Sequence, residues 1–146
     1  GGSGATLGLI VAMFIVGRKN KGEYSICKMS LVPGLFNINE PIMFGLPIVM
    51  NPMYVIPFIL APIVCNIIGY FCVCVIKIIP PVAYSVAWTT PGFLTPFLGS
   101  GANNIMALVV GILCLVVSTL IYLPFVAAST RAAIKKEAEE AGENNA

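Results

Sequence analysis

The sequence predicts an all-α integral membrane protein, built from kinked transmembrane helices and two re-entrant hairpins. Three observations carry that prediction. Of the 146 residues, 58% are hydrophobic and 10% are charged, against about 25% charged in an ordinary soluble domain, and the mean hydropathy is +0.96. From Met29 to Thr130 the only charged side chains are Glu40 and Lys77. Within that apolar region, 31–50 and 80–101 are interrupted by prolines and glycines too often for a straight helix to continue. Lipid tolerates such backbone only where it lines a cavity or is covered by protein.

The same totals exclude other classes. A net charge of +2, carried at the ends of the sequence, gives no face for nucleic acid. Histidine is absent, which removes the commonest proton shuttle and metal ligand. The five cysteines, Cys27, Cys65, Cys72, Cys74 and Cys114, include no CxxC. They read as small buried hydrophobes, with no metal site and no cofactor expected, and their odd number argues against a disulfide framework. The opening GGSGATLG has no Met and no signal-peptide pattern, so the chain reads as a piece of a longer protein.

In order, 5–17 is an apolar run that would make a helix of about 20 Å, short of the roughly 30 Å hydrocarbon core; it is a partial span. Arg18, Lys19, Lys21 and Lys28 place 18–30 in the cytoplasm by the positive-inside rule. The next stretch, 31–50, carries Pro33, Pro41 and Pro47 and is the first re-entrant hairpin, with Asn37, Asn39 and Glu40 near its tip; a continuous kinked span is the alternative. Residues 53–76 are long enough to span, are kinked at Pro57 and Pro62, and end at Lys77, whose side chain can snorkel to the interface. The second hairpin, 80–101, holds four prolines, three glycines and the single Trp, Trp88. Asn103 and Asn104 can cap the last span, 104–126, and the charged tail 131–146 returns to the cytoplasm. Two broken segments entering from opposite faces resemble the paired broken helices of transporters, whose sites lie near the midplane.

Glu40 is the acid that needs explaining. A charged residue at membrane depth costs about 2.5–3.5 kcal/mol on insertion scales and by default marks a functional site. Asn37 and Asn39 beside it supply donors and acceptors. Carboxylate plus amides suits sugar hydroxyls, and Trp88 and Tyr84 offer flat apolar faces for a pyranose. Glu40 could instead couple protons, as carboxylates do in pumps, Trp88 could be an interface anchor, and Asn37 a turn residue.

FNINEPIMFGLPIVMNP, followed by the PPVAYSVAWTTP block and a last apolar helix, resembles the membrane subunit (enzyme IIC) of bacterial phosphoenolpyruvate-dependent sugar phosphotransferase systems, in the lactose, cellobiose and diacetylchitobiose group. The leading GGSGATLG is also similar. The resemblance covers nearly everything before the charged tail and implies the C-terminal, substrate-binding part of an enzyme IIC fold, so that 1–130 belong to its membrane domain. It implies a multi-pass permease of the bacterial cell membrane, dimeric in full-length form, that binds a β-linked, cellobiose-like disaccharide. Phosphorylated enzyme IIB donates the phosphoryl group to that sugar. By resemblance, the catalytic residue is Glu40, near the hydroxyl that is phosphorylated, and the sugar is bound by Asn39, Glu40 and Trp88. The family also places a histidine near that hydroxyl; this chain has none, so the histidine and the dimerising helices belong to sequence upstream. Two other functions stay open on the residues: an ion-coupled sugar transporter, or a truncated fragment without activity.

Overall fold

The computed structural model describes residues 3–145, and every regular element among them is helical. Gly1, Gly2 and Ala146, at the ends of the opening GGSGATLG and of the charged tail, lie outside the described residues. The helices are α1 (Thr6–Val16), α2 (Lys21–Leu35), α3 (Glu40–Gly45), α4 (Pro52–Tyr70), α5 (Thr95–Gly99) and α6 (Ile105–Asn144). A π-helical turn over Phe71–Val75 prolongs α4.

The short helix α1 is the core. At about 1.5 Å per residue it is too short to span, and Leu9, Ile10, Ala12 and Met13 are fully buried against α6 and α2. Its entry is irregular. Gly4 and Ala5 are left-handed, at φ 71° and 53°, and α6 satisfies their carbonyls: the Ser118 hydroxyl donates to Ala5 O at 3.1 Å and the Tyr122 hydroxyl donates to Gly4 O. This is how non-helical backbone is tolerated in an apolar setting. One residue position makes the α1–α6 approach possible, because a Cβ on Gly8 would overlap Ser118 Oγ. Small residues at such contacts let apolar helices pack closely.

α2 starts where the Asn20 side chain accepts from Glu23 N at 3.4 Å and runs through Pro33. The charged stretch 18–30 and the start of 31–50 therefore share one helix. Pro33 cannot supply the usual helical bond to Met29 O, and α2 ends two residues later, at Leu35, where the Pro33 carbonyl accepts from Phe36 N and Ile38 N. The Phe14 and Tyr24 rings meet edge to face at 5.3 Å and fasten α2 to α1.

Among the described residues, two helices, Pro52–Val75 and Ile105–Asn144, are long and apolar enough to cross a membrane. The exposed side chains of α4, among them Ile56, Ile59, Ile63 and Ile67, form an apolar outer face of the kind that lipid or further protein covers. Asn104 caps α6 by accepting from Met106 N at 2.9 Å. α6 then continues through the charged tail, whose Ala, Lys and Glu residues are strong helix formers and include an exposed Lys135–Glu139 pair at 3.9 Å. Between the two long helices, 80–101 folds back on itself: Ala83 N and Tyr84 N both donate to Gly99 O.

Candidate functional site

The NEP turn lies where α2 ends and α3 begins, against the start of α1. Asn37 is left-handed at φ 63°, which an Asn tolerates better than other non-glycine residues. That conformation ends α2 and turns the chain into α3, whose first residue is Glu40. Asn39 is 6% exposed, and its Oδ1 accepts a 2.6 Å hydrogen bond from the Thr6 hydroxyl, pinning the turn to the start of α1. Glu40 is exposed, and among the described residues no hydrogen bond or ion pair reaches its carboxylate. Lys77, the one other charge in the apolar region, does not pair with it.

Asn37 also does something its turn role does not require. Its side-chain NH2 donates to Trp88 O at 2.9 Å and to Thr90 O at 2.7 Å. The WTTP loop is thereby clamped to the NEP turn, and the indole of Trp88 stands free at 73% exposure. Asn37 Oδ1 is buried without a hydrogen-bond partner among the described residues, leaving an acceptor at the junction open to a donor. The two blocks read from sequence thus meet, with an exposed carboxylate on one and an exposed aromatic face on the other. Asn39 is brought to the same turn, but with its carbonyl oxygen engaged by Thr6.

A second polar junction lies where α2, α4 and α6 converge. The buried Tyr54 hydroxyl donates to Glu23 Oε2 at 2.6 Å, and the Ser129 hydroxyl lies 3.0 Å from it. Beside it, burial first and the Glu23 charge second push the Cys27 thiol up to about 12, which makes it an inert core residue.

With this geometry in view, known proteins give a consistent match. A family model described as phosphotransferase system, EIIC, matches residues 1–62. The oligo-β-mannoside-specific EIIC component of Bacillus subtilis is 36% identical over the whole chain, which covers 32% of that protein. The lactose-specific EIICB component of Streptococcus mutans is 42% identical over 95% of this chain and 24% of its own length. The crystal structure of the transporter ChbC, the IIC component of an N,N′-diacetylchitobiose-specific phosphotransferase system, superposes with a TM-score of 0.84 at 40% identity, over 93% of this chain and 31% of that one. The chain belongs to the EIIC family.

It spans about a quarter to a third of the length of these relatives. The EIIC fold accounts for the all-helical architecture, and the stretch matched by the family model contains Thr6, Asn37, Asn39 and Glu40 but stops short of Trp88. Sequence reasoning missed Thr6, because a single hydroxyl at the head of an apolar run carries no pattern. It saw Asn37 only as a turn former or hydroxyl-binding amide and not as the clamp on the WTTP loop. The Tyr54–Glu23 bond was hidden because it joins residues assigned to different segments.

Proposed function

We propose that this chain forms the sugar-handling part of an EIIC permease in a bacterial cell membrane, a multi-pass protein with its C-terminus in the cytoplasm and dimeric at full length. The observation that carries the reading is the Asn37 clamp, which sets the unpaired Glu40 carboxylate and the open Trp88 face beside the same junction. The substrate is a β-linked disaccharide of the cellobiose type; the names of the relatives, which specify an oligo-β-mannoside, lactose and diacetylchitobiose, support that class. Trp88 stacks on the apolar face of a pyranose. Glu40 accepts a hydrogen bond from the hydroxyl to be modified, and Asn39, whose carbonyl oxygen Thr6 holds, has its NH2 to donate to a neighbouring one.

The reaction is phosphoryl transfer from phosphorylated enzyme IIB, a partner consistent with the fused EIICB form of one relative. Positioning dominates such chemistry. Glu40 orients the sugar hydroxyl in line with the phosphorus and takes its proton, while the new O–P bond forms and the bond from phosphorus to enzyme IIB breaks. Once Glu40 has passed that proton to water, the dianionic product is repelled by the restored carboxylate, which favours release into the cytoplasm. Membrane vesicles bearing the intact gene product, supplied with phosphoenolpyruvate and the soluble phosphotransferase components, test this: entering sugar should appear as sugar phosphate and only when enzyme IIB is present. Accumulation of free sugar driven by a proton gradient would overturn it.

A further inference from the structure

The five cysteines are not alike. Cys27 is fully buried on α2, and Cys72 and Cys74 lie in the π-helical turn that prolongs α4. Cys65, in α4, and Cys114, in α6, are both half-buried and meet where those helices pack. The Cys65 thiol donates to the Cys114 carbonyl at 3.4 Å, and the Cys114 thiol reaches the Cys65 carbonyl at 4.0 Å. Each side chain thus crosses to the other's backbone, which sets the two sulfurs side by side. Among the described residues no hydrogen bond joins Cys27, Cys72 or Cys74 to another cysteine.

The chain path explains the meeting. α4 and α6 are joined by 76–104, and each cysteine lies about three helical turns from that connection, one before it and one after. The same two side chains line a cavity of about 340 Å³ between α1, α4 and α6, so a small molecule can reach the sulfurs while the helices stay packed. A disulfide needs two side chains that point at one another, and reciprocal contacts of this kind supply that.

We propose that Cys65 and Cys114 are a redox-active pair that closes to a disulfide on exposure to a hydroperoxide and so ties α4 to α6. In a reducing cytoplasm the free thiols are the resting form. One sulfur attacks a peroxide oxygen: an S–O bond forms, the O–O bond breaks, and the thiol proton leaves with the released alcohol. The second sulfur then attacks the sulfenic acid: the S–S bond forms, the S–O bond breaks, and the second thiol proton leaves in water. The two thiols lose two electrons and the hydroperoxide gains them. Exchange with a dithiol reverses the bridge. The closed ring contains the whole of 76–104, with the WTTP block and Trp88 in it.

Trypsin reads the pairing directly. Between Lys28 and Arg131 the only Lys or Arg is Lys77, so digestion yields fragments 29–77 and 78–131. The first holds Cys65, Cys72 and Cys74, and the second holds Cys114 as its one cysteine. Membranes carrying the intact gene product are treated with tert-butyl hydroperoxide, blocked with N-ethylmaleimide, digested in detergent and analysed by mass spectrometry without reductant. The two fragments should be found joined, and dithiothreitol should part them. The joined species should persist in Cys72→Ser/Cys74→Ser, where Cys65 is the one cysteine left in the first fragment, and should be lost in Cys65→Ser. The double variant decides the pairing even where Cys65→Ser fails to fold. Fragments recovered unjoined from the treated parent protein, or Cys114 joined to any other part of the chain, overturn the inference. So does linkage that disappears in Cys72→Ser/Cys74→Ser, or that survives Cys65→Ser at the parent's rate.

Discussion

The side-chain amide of Asn37 donates a 2.7 Å hydrogen bond to the backbone carbonyl of Thr90, joining a helix-ending turn to a loop 53 residues away. The same NH2 reaches Trp88 O, so one side chain holds both ends of the WTTP segment. Asn37→Gly separates the clamp from the turn, because glycine adopts φ 63° without strain. The variant should fold and insert normally, yet bind sugar about 5- to 150-fold more weakly, the equivalent of about 1–3 kcal/mol for two lost hydrogen bonds. Isothermal titration with the transported sugar measures this. Unchanged affinity would mean the loop is held in place without Asn37.

Glu40→Gln keeps size and hydrogen-bonding capacity but loses the charge and the ability to take a proton. It should assemble as the parent does, because no described side chain pairs with the carboxylate. Phosphorylation of sugar in the intact protein should fall by about 10²–10⁴, the range typical of a lost general base, with a much smaller change in sugar affinity. Single-turnover assays with phosphorylated enzyme IIB resolve the two effects, and near-normal turnover would remove Glu40 from the chemistry.

The residues singled out from the sequence stand out by being out of place. One carboxylate among apolar residues and two proline-broken blocks are visible in any listing of the chain, and they are the parts the structure brings together. The devices that join them are short polar contacts across long sequence separations: Thr6 to Asn39, Asn37 to Trp88 and Thr90, Tyr54 to Glu23. Each uses a residue whose type is common and whose spacing is arbitrary, so periodicity carries no trace of it. That α2 runs on through residue 31 was hidden for a related reason. A proline removes one helical bond and crowds the preceding turn, and nothing local says that the helix continues through Pro33 and stops two residues later.

Gly8 sets the distance between α1 and α6. In Gly8→Ala the new methyl collides with Ser118 Oγ, and overpacking of this kind typically costs about 1–3 kcal/mol. The melting temperature of the detergent-solubilised protein should drop accordingly. Adding Ser118→Gly removes the obstructing atom but also the hydrogen bond to Ala5 O, so the double variant should regain part of the loss. No recovery at all would show that the strain falls elsewhere.

Cys27 predicts a pH dependence with a definite sign. Its pKa is raised from 9.0 to about 12 in the folded protein, by burial first and Glu23 second. The unfolded chain therefore releases this proton at lower pH than the folded one does. The contribution to stability is fully present below pH 9 and is withdrawn as pH climbs from 9 toward about 12. Chemical denaturation across that window should show stability falling with pH, with a shallower fall in Cys27→Ala, and only the slope is compared because the substitution also leaves a cavity. Equal slopes in the two proteins would assign the alkaline loss to other groups.

Tyr54 tests whether the junction of α2, α4 and α6 is held by its polar contacts or only by packing. Tyr54→Phe keeps the ring in its buried position and deletes the donor to Glu23 and the neighbour of Ser129. Hydrogen bonds to charged groups contribute about 1.5–3 kcal/mol. Glu23 is only half-buried, so water can replace part of what the phenol supplied, and the loss should fall toward the lower end of that range. Glu23→Gln alone should also draw the Cys27 pKa back toward 9, since Glu23 is the second cause of its rise. In the double variant the two losses should be less than additive by about 1 kcal/mol, within the coupling usual for residues in contact. Denaturation of all four proteins closes that cycle, and strictly additive losses would mean that the hydroxyl and the carboxylate act independently despite their 2.6 Å separation.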